Sequence, residues 1–132
     1  MSGVVNELLT KADPISRTVI GAAIEVHRAL GPGLLESACQ ACLAQELMQQ
    51  GIRFMREVPL PVSYKGVQLD CGYRMDFVVE DRVVFEVKTV ESLQKIHEAQ
   101  LLTYLRLGRL PLGLLLNFHA AVLRDGIKRL AL

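Results

Sequence analysis

Two acidic side chains and a lysine interrupt a pair of apolar, strand-like runs. Asp76 lies in residues 73–79, and Glu86 and Lys88 lie in residues 83–88. Because side chains alternate between the two faces of a strand, Glu86 and Lys88 project from one face. Carboxylate oxygens are ligands that Mg²⁺ prefers, and a neighbouring lysine can stabilise charge on a reacting phosphate. The spacing therefore favours metal-assisted phosphodiester hydrolysis.

The loop between these runs determines whether the two carboxylates meet. A two-residue loop at Asp81 and Arg82 would pair Asp76 with Val87 and turn the carboxylate toward an apolar face. A loop with an odd residue count, or a bulge, shifts the register by one residue and sets Asp76 opposite Glu86. We predict this second register, which pairs Val79 with Val83, Phe77 with Phe85 and Met75 with Val87 on a shared apolar face.

Two carboxylates on neighbouring strands repel each other, so their charge needs compensation. At about 4 Å, two like charges cost on the order of 4 kcal/mol at an effective dielectric constant of about 20. Lys88 offsets part of this cost, and a divalent cation offsets more. A surface salt bridge between Lys88 and one carboxylate is the competing interpretation, and from the charge pattern alone it is the more common outcome.

The remaining periodicity predicts the elements that position these side chains. Apolar residues at helical spacing predict helices over residues 14–30, 34–50 and 93–107, the first with Asp13 as its N-cap and Pro14 at its first helical position. Strand patterns cover residues 54–58, 61–64, 73–79, 83–88 and 112–118, and a C-terminal hairpin joins residues 120–124 to 127–130. This order predicts one α/β domain, residues 1–132, with a central mixed sheet flanked by helices.

Composition limits the class of protein without identifying its function. The 132 residues are 51% hydrophobic with a net charge of +1, so we expect a folded core and find no strong basic excess for nucleic-acid binding. No apolar run approaches the roughly 18–20 residues of a membrane span, and the N-terminus lacks the pattern of a secretory signal. We therefore expect a cytoplasmic protein with no membrane partner.

The cysteines do not suggest a redox or metal site. An odd number of cysteines, Cys39, Cys42 and Cys71, argues against a disulfide framework, and zinc would need about four ligands. We expect Cys39 and Cys42 to be small core residues of the second helix. A cluster of all three thiols is the alternative, and it requires that they converge in space.

Six segments, in order along residues 20–129, carry a resemblance to a known family. They read GLLE at 33–36, YKG at 64–66, GYRMD at 72–76, FEVK at 85–88, AQLLTYL at 99–105 and LLLNF at 114–118. As a set, these segments resemble the GxxExxY proteins, small bacterial and archaeal proteins of the PD-(D/E)XK nuclease superfamily. The chain departs from the motif that names the family, because Cys39 occupies the tyrosine position.

The resemblance implies a restriction-endonuclease-like fold and a metal-dependent nuclease that uses Mg²⁺ or Mn²⁺. It assigns Asp76 and Glu86 as metal ligands, with the Val87 carbonyl and the helical carboxylate of Glu36 as further ligands. It assigns Lys88 to the attacking water. Asp76, Glu86, Lys88 and Glu36 are therefore the expected catalytic group.

The third predicted helix supplies candidates for substrate binding. Gln100 and Tyr104 lie four residues apart on one helical face and resemble an element that holds substrate in related exonucleases. His97 lies on the same stripe. A polar pair that braces the helix, and a structural histidine, are the alternatives.

The expected partner is nucleic acid, with DNA as the first candidate and RNA left open. The chain is small and nearly neutral, so we expect that a homo-oligomer would bind DNA better than a single copy. The competing hypothesis is a non-catalytic nucleic-acid-binding or protein-assembly module that retains the nuclease fold.

Overall fold

The computed structural model of the chain describes residues 3–132. These residues form three α-helices: α1 (Gly3–Leu30), α2 (Glu36–Gln49) and α3 (Lys95–Gly108). The strands are β1 (Phe54–Pro59), β2 (Val62–Tyr64), β3 (Val67–Leu69), β4 (Arg74–Val79), β5 (Val83–Lys88), β6 (Leu112–Asn117) and β7 (Ile127–Ala131). A short 3₁₀ turn, Leu123–Gly126, precedes β7.

Five of the strands form one mixed sheet in the order β1-β4-β5-β6-β7. The β5–β6 pair is parallel, and the other three pairs are antiparallel. The strands β2 and β3 form a separate hairpin across a turn at Lys65 and Gly66. The predicted mixed α/β sheet is therefore confirmed.

Helices cover both faces of this sheet. α1 and α2 pack on one face, against a core that includes Phe77, Phe85 and Leu114. α3 packs on the other face, where Leu101 and Leu105 contact a second cluster. The central strand residues are apolar on both sides because both faces are buried, as is typical where a parallel pair lies inside a sheet. Because β5 and β6 run in parallel, their carboxyl ends lie side by side at one end of the sheet.

The predicted start of the first helix is wrong. α1 begins at Gly3 and continues through Pro14, so Asp13 is an interior helical residue and not an N-cap. Ala12 is fully buried and Leu9 packs against the core, so the buried stripe extends past the proline. This packing outweighs the backbone hydrogen bond that a proline inside a helix removes. The Asp13 carboxylate instead pairs with Arg129 of β7.

The predicted C-terminal hairpin is also wrong. Residues 120–124 form no strand, and β7 pairs with β6, with Leu116 opposite Ile127. The apolar strand β6 gains its second neighbour in this way, because β5 occupies its other edge. The segment between β6 and β7 lies against the carboxyl end of α1.

The cysteines follow the simpler prediction. Cys39 is buried in the core, Cys42 is half-buried and Cys71 is exposed, and all three are free thiols. Burial raises the pKa of the Cys39 thiol, with a smaller contribution from the neighbouring Cys42. Within residues 3–132, no helix is both long and apolar enough to cross a membrane. The cytoplasmic location stays a prediction.

Candidate functional site

The β4–β5 pair has the predicted register. Val79 lies opposite Val83, Val78 opposite Val84 and Phe77 opposite Phe85. Phe77 and Phe85 stack with ring centroids 4.4 Å apart. Regular pairing ends at these two phenylalanines, one residue before the two carboxylates.

Beyond the phenylalanines, the carboxylates themselves replace the backbone ladder. The backbone N–H of Asp76 donates to Glu86 Oε2 at 2.8 Å. In return, the backbone N–H of Val87 donates to Asp76 Oδ2 at 2.9 Å. Each carboxylate is thus anchored to the opposite strand, and Asp76 and Glu86 meet at the end of the paired region.

The same feature explains why the predicted position of Met75 is wrong. Met75 belongs to the core cluster under α3, whereas Phe77 lies in the cluster under α1 and α2. Met75 and Val87 do not pair in the ladder. The alternation of side chains between the two faces of β4 is interrupted at Asp76, where carboxylate hydrogen bonds replace those of the backbone. Glu57, on the adjacent strand β1, has a positive φ of 52°.

Burial makes the carboxylate pair electrostatically unfavourable without a cation. Glu86 is only 4% exposed, and burial, followed by the negative charge of Asp76, raises its pKa to about 8. Burial is also the largest cause that raises the pKa of Asp76. Lys88 lowers the pKa of both groups without reversing either shift. A cation between them would restore both carboxylates to their charged forms.

The second oxygen of each carboxylate remains available. Asp76 Oδ1 and Glu86 Oε1 accept no hydrogen bond within residues 7–132. No fully buried side-chain oxygen or nitrogen in that range lacks a partner, so these two atoms keep some contact with solvent. Anchored carboxylates with a free, accessible oxygen fit the hard, oxygen-ligated cations.

Lys88 lies at the carboxyl end of β5 and does not neutralise either carboxylate by direct pairing. The ion pairs within residues 7–132 do not include Lys88. The competing interpretation, a surface salt bridge between Lys88 and Asp76 or Glu86, is therefore wrong. The half-buried ammonium is close enough to both carboxylates to lower their pKa values and remains free for another partner.

Glu36 lies on the side of the site formed by α2. It is the first residue of that helix, it is exposed, and its charge raises the pKa of both Asp76 and Glu86. Among the described residues, however, no three His, Cys, Asp or Glu side chains come together as a complete metal-binding cluster. The role of Glu36 as a ligand stays a prediction, and so does that of the Val87 carbonyl.

Sequence reasoning missed a fourth carboxylate, Glu57. In the β1–β4 pair, Arg56 lies opposite Phe77 and Val58 opposite Met75, so Glu57 falls opposite Asp76. Its charge raises the pKa of Asp76. The sequence offered only a weak indication of its role, because Glu57 is an isolated glutamate in an edge strand, two residues before Pro59.

α3 turns Tyr104 toward the carboxylate pair. Tyr104 is 3% exposed, and burial, followed by the charges of Glu86 and Asp76, raises its pKa to about 12. Gln100 Nε2 donates to Tyr104 Oη at 3.1 Å. The phenol therefore stays protonated beside the site.

His97 has a structural contact as well as a place near the site. Its Nδ1 accepts a hydrogen bond from the backbone N–H of Gln94 at 2.9 Å, which completes a capping box at the start of α3. It also lines an open cleft together with Tyr73, Gln100 and Tyr104. Substrate contact by these α3 residues stays a prediction.

A comparison with known protein families gave one match. A family model described as the PD-(D/E)XK nuclease superfamily matches residues 13–130. The chain therefore belongs to the PD-(D/E)XK nuclease superfamily, whereas the narrower membership of the GxxExxY proteins stays a prediction. Comparisons with curated proteins and with solved structures gave no match.

Proposed function

We propose that this chain is a Mg²⁺- or Mn²⁺-dependent nuclease that hydrolyses phosphodiester bonds at the end of the β4–β5 pair. The observation that carries the proposal is the reciprocal anchoring of Asp76 and Glu86. Each carboxylate is fixed by a backbone N–H of the other strand and keeps one free oxygen, while Glu86 is buried and Asp76 is half-buried. A superfamily of nucleases, which generally use divalent metals, has the matching fold.

The carboxylates would hold the cation. Asp76 and Glu86 are the principal ligands, and Glu36 and the Val87 carbonyl are the secondary ones. When bound, the divalent ion supplies charge neutralisation at the phosphate and lowers the pKa of a water molecule. The hydrogen bonds from Asp76 N–H and Val87 N–H orient the ligand oxygens, as interactions behind metal ligands commonly do.

Lys88 would act on the reacting phosphate. Its ammonium carries donors and no acceptor, and no carboxylate in the described part of the chain occupies them as an ion pair. It can therefore orient the attacking water or stabilise the negative charge that develops on the phosphate oxygens. Gln100 and Tyr104 would position the nucleic-acid strand, with the phenol hydroxyl as a donor to a phosphate oxygen. His97 would contact the strand at the outer end of the same cleft.

The test is a cleavage assay over single-stranded and duplex forms of DNA and RNA, with Mn²⁺ or with EDTA. We expect Mn²⁺-dependent cleavage by the wild type and a loss of at least about 100-fold in Glu86→Gln and Lys88→Ala. Glu46→Gln, which changes a carboxylate of α2 outside the site, is the matched control and should keep full activity.

The alternative proposal, a non-catalytic binding or assembly module, gives a different pattern. It predicts binding without cleavage in every variant. Cleavage that persists in both Glu86→Gln and Lys88→Ala would remove the proposed mechanism, whatever the substrate.

A further inference from the structure

A second cleft lies at the carboxyl end of α1, outside the carboxylate site. It has a volume of about 400 Å³ and lies between the last turns of α1 and the segment that follows β6. Its apolar lining includes Ile24, Val122 and Leu123. Its polar lining consists of His27, Arg28 and Arg124.

This cleft is at the same end of the sheet as Lys88. Asn117, the last residue of β6, pairs in parallel with Lys88, the last residue of β5. The backbone N–H of Phe118 then donates to the Lys88 carbonyl at 2.9 Å. The cleft wall formed by residues 121–124 therefore begins only a few residues beyond the strand end that borders the candidate site.

A buried histidine opens into the cleft with one ring nitrogen unused. His27 is only 7% exposed, and its Nε2 lies 2.8 Å from the Ala120 carbonyl oxygen. Because a carbonyl only accepts, Nε2 carries the hydrogen, which leaves Nδ1 for a further hydrogen bond. No residue in the range 7–132 donates to Nδ1, and no fully buried side-chain nitrogen in that range lacks a partner, so Nδ1 keeps some contact with solvent, and His27 lines the cleft.

Two guanidinium groups at the cleft also lack a partner among the side chains of residues 7–132. Arg28 and Arg124 are both exposed, and neither belongs to an ion pair or side-chain hydrogen bond within residues 7–132. Arginine matches the geometry of phosphate oxygens and binds them through paired donors. Val122, 59% exposed, provides an apolar surface beside them.

We infer that this cleft binds one nucleotide of a nucleic-acid strand, with its phosphate at Arg28 and Arg124 and its base or sugar against Ile24 and Val122. His27 Nδ1 accepts a hydrogen bond from a sugar hydroxyl or a base N–H. The volume lies in the range of small-molecule sites, roughly 300–1,000 Å³. The inference deepens the proposed nuclease function and rests on it, because a strand held here is positioned for the site beside Lys88.

The test is an NMR titration of the ¹⁵N-labelled full chain in EDTA with thymidine 5′-monophosphate, thymidine and inorganic phosphate. We expect amide shifts at Gly31 and Val122 with the nucleotide, and at least about tenfold weaker binding of thymidine or phosphate alone, since either lacks part of the contact. Equal binding of inorganic phosphate or of thymidine would overturn the inference, and so would shifts confined to the cleft on α3.

Variants identify the groups responsible. The double variant Arg28→Ala/Arg124→Ala should bind the nucleotide at least about tenfold more weakly. Arg17→Ala removes one positive charge from the helix that carries Arg28, roughly 16 Å away along its axis, and should bind like the wild type. Wild-type affinity in the double variant would contradict the assignment.

Failure of this inference is distinguishable from failure of the proposed function, because the titration needs neither metal nor cleavage. Cleavage by the wild type without nucleotide binding at this cleft would remove the inference alone. Nucleotide binding through the two arginines, without any metal-dependent cleavage, would remove the proposed function alone.

Discussion

At the level of the single residue, Glu86 is an acidic side chain that is almost completely removed from water. Its carboxyl is buried beside a second carboxyl, and its pKa of about 8 lies well above the ordinary 4.5. The folded chain therefore binds this proton more tightly than the unfolded chain does. The resulting contribution to stability is complete below about pH 4.5 and is lost as the pH rises toward about 8.

The first prediction concerns this pH dependence. In metal-free protein, the free energy of unfolding should fall between about pH 4.5 and 8 by an amount on the order of a few kcal/mol. Glu86→Gln removes the titration but retains an oxygen that can accept the Asp76 N–H, so its stability should change much less over this interval. Urea denaturation across the pH range measures both, and an unchanged slope in the variant would refute the assignment.

The second prediction separates Lys88 from the metal ligands. Lys88→Ala removes the ammonium without removing a carboxylate, so we expect Mn²⁺ binding to persist while cleavage falls at least about 100-fold. Lys95→Ala, at the exposed start of α3, serves as the charge-matched control and should leave both properties unchanged. Calorimetry and the cleavage assay together provide the measurement. Loss of metal binding in Lys88→Ala would show that the lysine supports the cation site and not the reaction.

At the scale of the element, the register of β4 and β5 could be predicted from the sequence because both strands alternate in the same way. One offset places apolar partners together, and a shift of one residue destroys the match. The position of Met75 could not be predicted in this way, since a side-chain hydrogen bond replaces the ladder at Asp76. Nor could the place of Glu57, which depends on a long-range pair and a positive φ that the sequence does not reveal.

The ends of the elements depended on tertiary packing. Pro14 normally marks a helix start, yet α1 passes through it because Ala12 and Leu9 are held in the core. β7 pairs with β6 rather than with its sequence neighbour, residues 120–124. Local propensity gives no information on which distant strand offers a free edge.

The third prediction tests how α3 is seated on the sheet. Gly113 in β6 faces Leu101 so closely that an added Cβ would lie 2.9 Å from Leu101 Cδ1. Gly113→Ala should therefore destabilise the chain by about 1–3 kcal/mol, because the helix or the leucine must shift. It should also displace Gln100 and Tyr104, which lie on the same helix.

Gly21→Ala is the matched control for this change. An added Cβ on Gly21 meets nothing within 4 Å, and alanine is a better helix former, so the variant should be as stable as the wild type or up to about 1 kcal/mol more stable. Urea denaturation compares the two variants. Equal stability of Gly113→Ala and Gly21→Ala would show that α3 does not rely on close contact at Gly113.

At the scale of the whole molecule, the sequence predicted the layers and the principal carboxylates, and it did not predict the second cleft. The cleft forms because the loop after β6 folds against α1. The sequence pattern predicted a strand of a C-terminal hairpin there instead, so it did not predict this contact. Likewise, the net charge of +1 gave little indication of nucleic-acid binding. The side chains of Lys88, Arg28 and Arg124 are a small local set, and acidic residues elsewhere balance their charge in the sum.

The fourth prediction concerns the stability of the entire fold with metal. A ligand that binds only the folded state stabilises it by about 2.7 kcal/mol at a concentration 100 times its dissociation constant. Mn²⁺ should therefore raise the Tm of the wild type. The increase should be larger at pH 8.5 than at about pH 6, since protons compete for Glu86 at the lower value. A Tm shift that is independent of pH would show that the ion binds elsewhere.

The most direct test of the account is calorimetric titration of Mn²⁺ into the wild type, Asp76→Asn, Glu86→Gln and the control Glu46→Gln. Both amide variants retain an oxygen that can accept the anchoring backbone N–H, so the site should keep its shape while it loses charge. We expect Mn²⁺ binding by the wild type and by Glu46→Gln, and an affinity at least about tenfold weaker in Asp76→Asn and Glu86→Gln. Equal Mn²⁺ affinity in all four proteins, or no binding by the wild type, would contradict it.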